Sequence, residues 1–143
     1  MEVRLSAHGS YYHLYHIVWI PKYHRKILKG ELKAFIAARL LEISQYHPDI
    51  EIERYNILVD HVHLVIVIPP KYMVSRIVGK LKANSSRTAR ACFPWLKDIY
   101  EYNEFWSPGF FSSTVGGNEA QIKRYVELQE KVDKGQLQLR IGL

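Results

Sequence analysis

Apolar and polar positions change period several times along the chain, and each change predicts an element. Tyr11–Ile20 is aromatic and β-branched with no Gly or Pro before Pro21, which predicts a first strand. A period of two sets Tyr12, Leu14, His16, Val18 and Ile20 on one face and Tyr11, His13, Tyr15, Ile17 and Trp19 on the other, so both faces are expected to be covered. From about Glu31 to Tyr46 the spacing turns helical, with Phe35, Leu40, Leu41 and Ile43 expected to face inward and Pro48 marking the end. Ile50–Leu58 alternates again, and Val59-Asp60 is a short turn into Asp60–Ile68, where His61-Val62-His63 precedes five aliphatic residues. This predicts a hairpin whose second strand is central and covered on both faces. Pro69-Pro70 stops it, and Met73 to about Ala91 reads as a long helix with Met73, Val74, Ile77, Val78 and Leu81 apolar. Residues 92–108 are aromatic and irregular and predict no element. Phe110–Val115 suits a fourth strand, Gly116-Gly117 a flexible break, and Asn118 with Gln121 a capping box opening a helix from about Glu119 to Val132. The tail, Lys134–Leu143, alternates Leu137, Leu139 and Ile141 and is compatible with an edge strand or a loose end.

The order β-α-β-β-α-β followed by α predicts an α+β fold, a ferredoxin-like (RRM-like) antiparallel sheet with helices on one face and an added C-terminal helix. At 143 residues the chain is expected to form one domain: a core of about 10–115, a hinge at 116–117, a helix of about 118–133 and a tail at 134–143. Cys92 is the sole cysteine, which excludes an internal disulfide and a CxxC zinc site and fits a reducing compartment. No stretch approaches the ~20 apolar residues of a membrane span, and Met1–Ser10 lacks the apolar run of a signal peptide, so a cytoplasmic location without membrane contact is expected.

Charge changes the picture more. Twenty Lys and Arg against fourteen Asp and Glu leave +6, the balance expected of a nucleic-acid binder. The cations cluster in a loop (Lys22, Arg25, Lys26) and on the second long helix (Arg76, Lys80, Lys82, Arg87, Arg90), with no acidic residue between Lys71 and Lys97. Asn84, Ser85, Ser86 and Thr88 add short hydrogen-bonding groups, as on phosphate-binding surfaces. These eight cations are the candidate DNA contacts; a merely solvated helix face would carry a similar pattern. Ten tyrosines and three tryptophans supply stacking surfaces for unpaired bases, or simply core.

Two constellations carry candidate chemistry. His61 and His63 lie two apart in a strand and so point to one side, as half of a metal site or as ordinary half-buried strand histidines. Tyr125 and Gln129, four apart in the last helix, sit one above the other on one face, either converging on a site or serving as packing and surface.

Taken together, these segments resemble a known family. His61-Val62-His63 is similar to the histidine-hydrophobic-histidine motif of HUH nucleases, and Arg124-Tyr125-Val126-Glu127-Leu128-Gln129 resembles the tyrosine helix of the IS-two-hundred-like single-tyrosine transposases of the smallest prokaryotic insertion sequences. Residues 18–26, 60–64, 69–72 and 110–117 are similar to blocks that the family carries in this order; Val59 departs from the proline common before the motif's Asp. The resemblance implies cleavage and rejoining of single-stranded DNA at hairpin-marked ends of a mobile element. Tyr125 would become joined to the 5′ phosphate at the cut, and His61, His63 and the Gln129 amide oxygen would hold Mg²⁺ or Mn²⁺. It also implies a homodimer, in which the tyrosine can act in trans. Two other readings stay open on the sequence: a domesticated hairpin-specific nuclease, and a non-catalytic single-stranded nucleic-acid binding module.

Overall fold

A computed structural model describes residues 4–6, 9–11, 13–114 and 119–140; of 4–6, 9–11, 119 and 137–140 only the backbone is described. Two short strands, β1 (Arg4–Ser6) and β2 (Gly9–Tyr11), pair with each other. The domain is built from β3 (Leu14–Trp19), α1 (Gly30–Leu41), α2 (Ile43–Tyr46), β4 (Glu51–Leu58), β5 (His61–Val67), α3 (Val74–Cys92), α4 (Leu96–Ile99), β6 (Phe111–Ser113) and α5 (Glu119–Arg140). Its four-stranded sheet runs in the order β4-β5-β3-β6 with every pairing antiparallel, the ferredoxin-like order expected.

The alternation of β3 and β5 sorts their residues between two environments. Ile17 and Trp19 of β3 and Val62, Leu64 and Ile66 of β5 enter the core with Leu32, Ile36 and Leu40 of α1 and Ile77, Val78 and Leu81 of α3. His16, Val18, His61 and His63 face the other side. The boundary residues Ile52 and Ile57 of β4 both turn toward the helices although five residues apart, an odd number that a regular strand cannot reconcile. A bulge at Glu53 resolves it: Ile52 opposes Ile66, and Arg54 rather than Glu53 opposes Val65. From Arg54 onward β4 is therefore in the opposite parity.

Several expectations are corrected. The first strand is shorter than Tyr11–Ile20 because Tyr11 belongs to the β1–β2 pair. The first helix breaks at Glu42 into α1 and α2, and its inward residues are Leu32, Ile36, Leu40 and Ile43, with Leu41 exposed at 43 %. Met73 is outside the core at 64 %. Residues 92–108 are not idle: Tyr100, Phe105 and Trp106 are buried, Trp106 Nε1 donates to Ser85 Oγ at 3.0 Å, and Tyr100 Oη donates to the Lys22 carbonyl at 3.0 Å. The last helix does not stop at Val132 but continues to Arg140, so residues 134–140 are helical and not an edge strand. The expected Gly116-Gly117 hinge and the Asn118 cap lie outside the described residues. Among the described residues no helix is long and apolar enough to cross a membrane.

Candidate active site

Antiparallel register lays the residues of the sheet face opposite α1 and α3 out in rows. One row runs Asn56, His63, Val18, Phe111 across β4, β5, β3 and β6; the next runs Arg54, Val65, His16, Ser113. His61 follows His63 on the same face at the start of β5, opposite Leu58. Both motif histidines are half-buried. β3 and β4 flank His63 and β4 flanks His61, so the pair is rigid to the extent that the sheet is.

A chain of polar contacts supports His61. Its Nδ1 lies 3.0 Å from Asp60 Oδ1, and the other Asp60 oxygen lies 2.8 Å from His24 Nε2. His24 Nδ1 in turn meets Glu130 Oε2 of α5 at 3.2 Å. With Nδ1 engaged by a carboxylate, His61 has Nε2 left to face the site, the arrangement in which imidazoles serve as ligands. Burial raises the Asp60 pKa, but the hydrogen bond from His61 and the charges of His24 and His61 outweigh it and leave Asp60 below its usual range. His63 is held below the ordinary histidine range, by burial first and then by His16, His61 and Arg54, so it stays neutral near pH 7. His16, which the sequence reading did not single out, comes within hydrogen-bonding distance: its Nδ1 is 3.4 Å from His63 Nε2, and the rings are 5.6 Å apart. Burial, followed by Arg54, also lowers His16. A diagonal position on the neighbouring strand was the available signal, and it required the register of β3 on β5.

Helix α5 brings Tyr125 to the same face. The Tyr125 ring packs 6.2 Å from that of Phe111, which ends the His63 row. Two strand spacings, about 10 Å, separate Phe111 from His63 along it. The Tyr125 hydroxyl is buried without a hydrogen-bond partner among the described residues, and burial, reinforced by Asp133, pushes the phenol well above its ordinary pKa. One turn on, Gln129 Nε2 points at Asp133 Oδ1 (3.4 Å), so the amide nitrogen is committed to Asp133. Tyr125 and Gln129 thus share a face of α5 as expected.

Asp133 fastens the helix. It is fully buried, accepts from Ser107 Oγ and from the Tyr23 backbone N–H, each at 3.0 Å, and lies 3.6 Å from Lys22 Nζ. Lys22 is 3 % exposed, faces Asp133 and Glu104 and donates to Gln136 Oε1, so this member of the basic loop is an internal counter-ion and is corrected as a surface DNA contact. Lys82 is likewise turned inward, donating to the carbonyls of Ser107 and Gly109 at 2.8 and 2.7 Å; burial brings its pKa down to about 8 against the pull of Asp133. Arg90 ties α3 to the carbonyl of Asn103 at 2.6 Å. Arg25, Lys26, Arg76, Lys80 and Arg87 remain exposed. Of these, Lys80 and Arg87 line a cavity of ≈ 460 Å³ between α1 and α3, with Arg39, His47 and Asn84 beside them.

Residues 10–129 match the family described as "Transposase IS200 like". The chain belongs to the IS200-like transposase family. A transposase for insertion sequence element IS200 from Salmonella typhimurium is 36 % identical over 135 residues, covering 94 % of this chain and 88 % of that protein. The ISDra2 transposase TnpA of Deinococcus radiodurans is 32 % identical over 126 residues, 87 % and 89 % of the two chains. A crystal structure of a candidate transposase from Deinococcus radiodurans superposes with a TM-score of 0.76 at 28 % identity, covering 90 % of this chain and 97 % of that one. A REP-associated tyrosine transposase bound to a REP hairpin has the same fold, with a TM-score of 0.55 at 15 % identity over 80 % and 62 %. As an IS200-like transposase the chain is a DNA-acting enzyme, and its histidine face, with the tyrosine helix laid beside it, is the candidate site of that activity.

Proposed function

We propose that this IS200-like transposase cleaves and rejoins single-stranded DNA at hairpin-marked ends of its insertion sequence. In the cleavage step the Tyr125 oxygen attacks the scissile phosphorus, a P–O bond to tyrosine forms, and the bond to the 3′ oxygen breaks. The products are a 5′-phosphotyrosine link and a 3′ hydroxyl that takes up the proton, and rejoining reverses the step with a new 3′ hydroxyl. The observation that carries this reading is a buried phenol without a hydrogen-bonding partner among the described residues, lying on the sheet face that bears His61 and His63. A phenol is a poor nucleophile at neutral pH, and burial makes Tyr125 a poorer one until a substrate phosphate and a cation arrive.

The residues fit a divalent ion. His61 offers Nε2 because Asp60 occupies Nδ1, His63 is held neutral, and Asp133 engages the nitrogen of Gln129 so that its oxygen is the atom left to donate. In this reading the amide oxygen of Gln129 is the third ligand beside the two imidazoles, with Asp60 and His16 as their neighbours. Two imidazoles and an amide oxygen suit Mn²⁺ better than Mg²⁺ and leave positions open for phosphate oxygens. Such an ion would draw charge from the scissile phosphate.

The cavity between α1 and α3, where Lys80 and Arg87 stand beside the Arg39–Glu42 ion pair, suits the backbone of a DNA hairpin, the REP-associated transposase having been solved on a REP hairpin. The deciding experiment incubates the protein with a labelled hairpin-bearing strand from its own locus and Mn²⁺. A protein–DNA adduct that survives denaturation is expected, and Tyr125→Phe should abolish it while raising stability by about 1 kcal/mol, because it deletes a buried polar atom lacking a partner. Cleavage retained in Tyr125→Phe would instead make the enzyme a hydrolytic nuclease. The reading includes a homodimer in which the tyrosine can act from the place it holds here or in trans; only trans assembly restores activity when His61→Ala and Tyr125→Phe proteins are mixed, and an inactive mixed dimer would rule it out.

A further inference from the structure

The bulge at Glu53 has placed a cation where alternation alone would not. Without it Arg54 would oppose Leu64 and point to the helices; with it Arg54 and Asn56 join the histidine face at the edge strand β4. There they border an open groove of ≈ 270 Å³ whose other walls include His16, His63 and Val65. Arg54 is exposed and lines the groove beside both imidazoles. Among the described residues no carboxylate forms an ion pair with it. An exposed arginine at the edge of a groove, with no ion pair among the described residues, is suited to an anion brought from outside.

The position of the groove gives it a direction. Tyr125 stands at the β6 end of the His63 row and Asn56 at the β4 end, with His63 between them. Attack on phosphorus is in line, so the leaving oxygen departs on the side opposite the nucleophile. On the reading of Tyr125 as nucleophile, on which this inference rests, the strand that leaves is the one 5′ of the cut, and it leaves toward β4. We propose that the groove is a phosphodiester subsite in which Arg54, with Asn56 beside it, seats the next backbone phosphate on the 5′ side of the scissile one. The guanidinium would grip two phosphate oxygens, the Asn56 amide would donate to the same phosphate or its sugar, and the leaving 3′ hydroxyl would stay in register for rejoining.

The test first maps the cut with wild-type protein and the own-locus strand, then measures binding in a Tyr125→Phe background, where nothing is cleaved. Arg54→Ala should weaken binding on the order of tenfold and lower the salt slope by about 0.7. Arg54→Lys should keep the slope and recover only part of the affinity. Strands carrying one neutral methylphosphonate locate the contact: neutralising the adjacent 5′ phosphate should weaken binding to the Arg54 protein and make little difference to Arg54→Ala, whereas neutralising phosphates 3′ of the cut should affect both alike. Equal sensitivity of both proteins at every position, or unchanged affinity in Arg54→Ala, would overturn the subsite while leaving an adduct-forming transposase intact. Absence of any adduct with wild-type protein would remove the nucleophile on which the direction rests, and the subsite with it. Because Arg54 is exposed, these variants are expected to fold normally.

Discussion

Strand β5 and helix α5 contribute to the same site but are held in different ways. His61 and His63 stand on a strand bonded on both sides, by β3 over six register pairs and by β4 over seven. Tyr125 and Gln129 stand on a helix that meets the domain at the Lys22–His24 turn through side chains: Asp133 to Ser107 and Tyr23, Gln136 to Lys22, and Glu130 to His24. A backbone ladder opens only with the fold, whereas a handful of polar contacts can be exchanged without it. The half of the candidate site that carries the histidines is therefore built in, and the half that carries the proposed nucleophile is attached.

The largest break in that comparison is on the built-in side. His63→Ala should abolish adduct formation and weaken Mn²⁺ binding together, since one imidazole is a poor holder of a labile ion, while hairpin binding persists; calorimetry with Mn²⁺ and a gel-shift on the hairpin read the two. Asp133→Ala strikes the attached side. It leaves Lys22, Ser107 and the Tyr23 amide without their common acceptor, costing about 3 kcal/mol, and hydrogen exchange should quicken through α5 while β5 keeps its protection. Equal quickening of β5 would mean that helix and sheet open as one unit.

Those two outcomes bear on how much could be read from the sequence. The hairpin of β4 and β5, the face shared by the histidines and the helical phase of Tyr125 and Gln129 were legible because each depends on local period. The roles of Lys22 and Lys82 were not. As sequence they are two cations among twenty, and what turns them inward is Asp133, over a hundred residues from Lys22, and the carbonyls of a loop without regular structure. The extension of α5 through Lys134–Arg140 was hidden similarly, because three alternating apolar residues imitate a strand and the contact of Gln136 with Lys22 is tertiary. The bulge left a faint trace: Ile52 and Ile57 are both apolar but an odd number apart, a break of parity that fixes no position until the partner strand is known.

Smaller effects sharpen the contrast. On the proposed ligand set Gln129→Ala removes the weakest donor, the one on α5, so residual adduct formation should rise with added Mn²⁺, unlike that of His63→Ala; a titration of adduct yield against Mn²⁺ separates the two. The smallest is expected with acid. Asp60 is below its usual range despite burial, through His61 and His24, and Glu130 is lowered by its hydrogen bonds to Lys134 and His24. A depressed carboxylate stabilises the docked form fully above its ordinary pKa and loses that contribution as pH falls through the lowered value. Docking of α5 should thus be level from pH 7 to about 5 and weaken below about 4, which limited proteolysis across that range would detect as cleavage within α5 ahead of global unfolding.

The turn that receives the helix has two consecutive non-glycine residues in the left-handed region, Tyr23 at φ 61° and His24 at φ 54°. Each such residue stores about 1–2 kcal/mol, and two of the contacts that compensate are to α5, Tyr23 N–H to Asp133 and His24 to Glu130, beside the His24–Asp60 pair and the Tyr100 bond to Lys22. The turn is a cocked spring with the helix as its catch. When α5 lifts, the backbone at Tyr23 and His24 can relax to ordinary dihedrals, so undocking regains conformational energy that a tally of broken contacts omits. Release of α5 is thereby easier than its polar contacts suggest, and the Tyr23 amide should exchange with solvent at the rate of α5 rather than that of the sheet it adjoins.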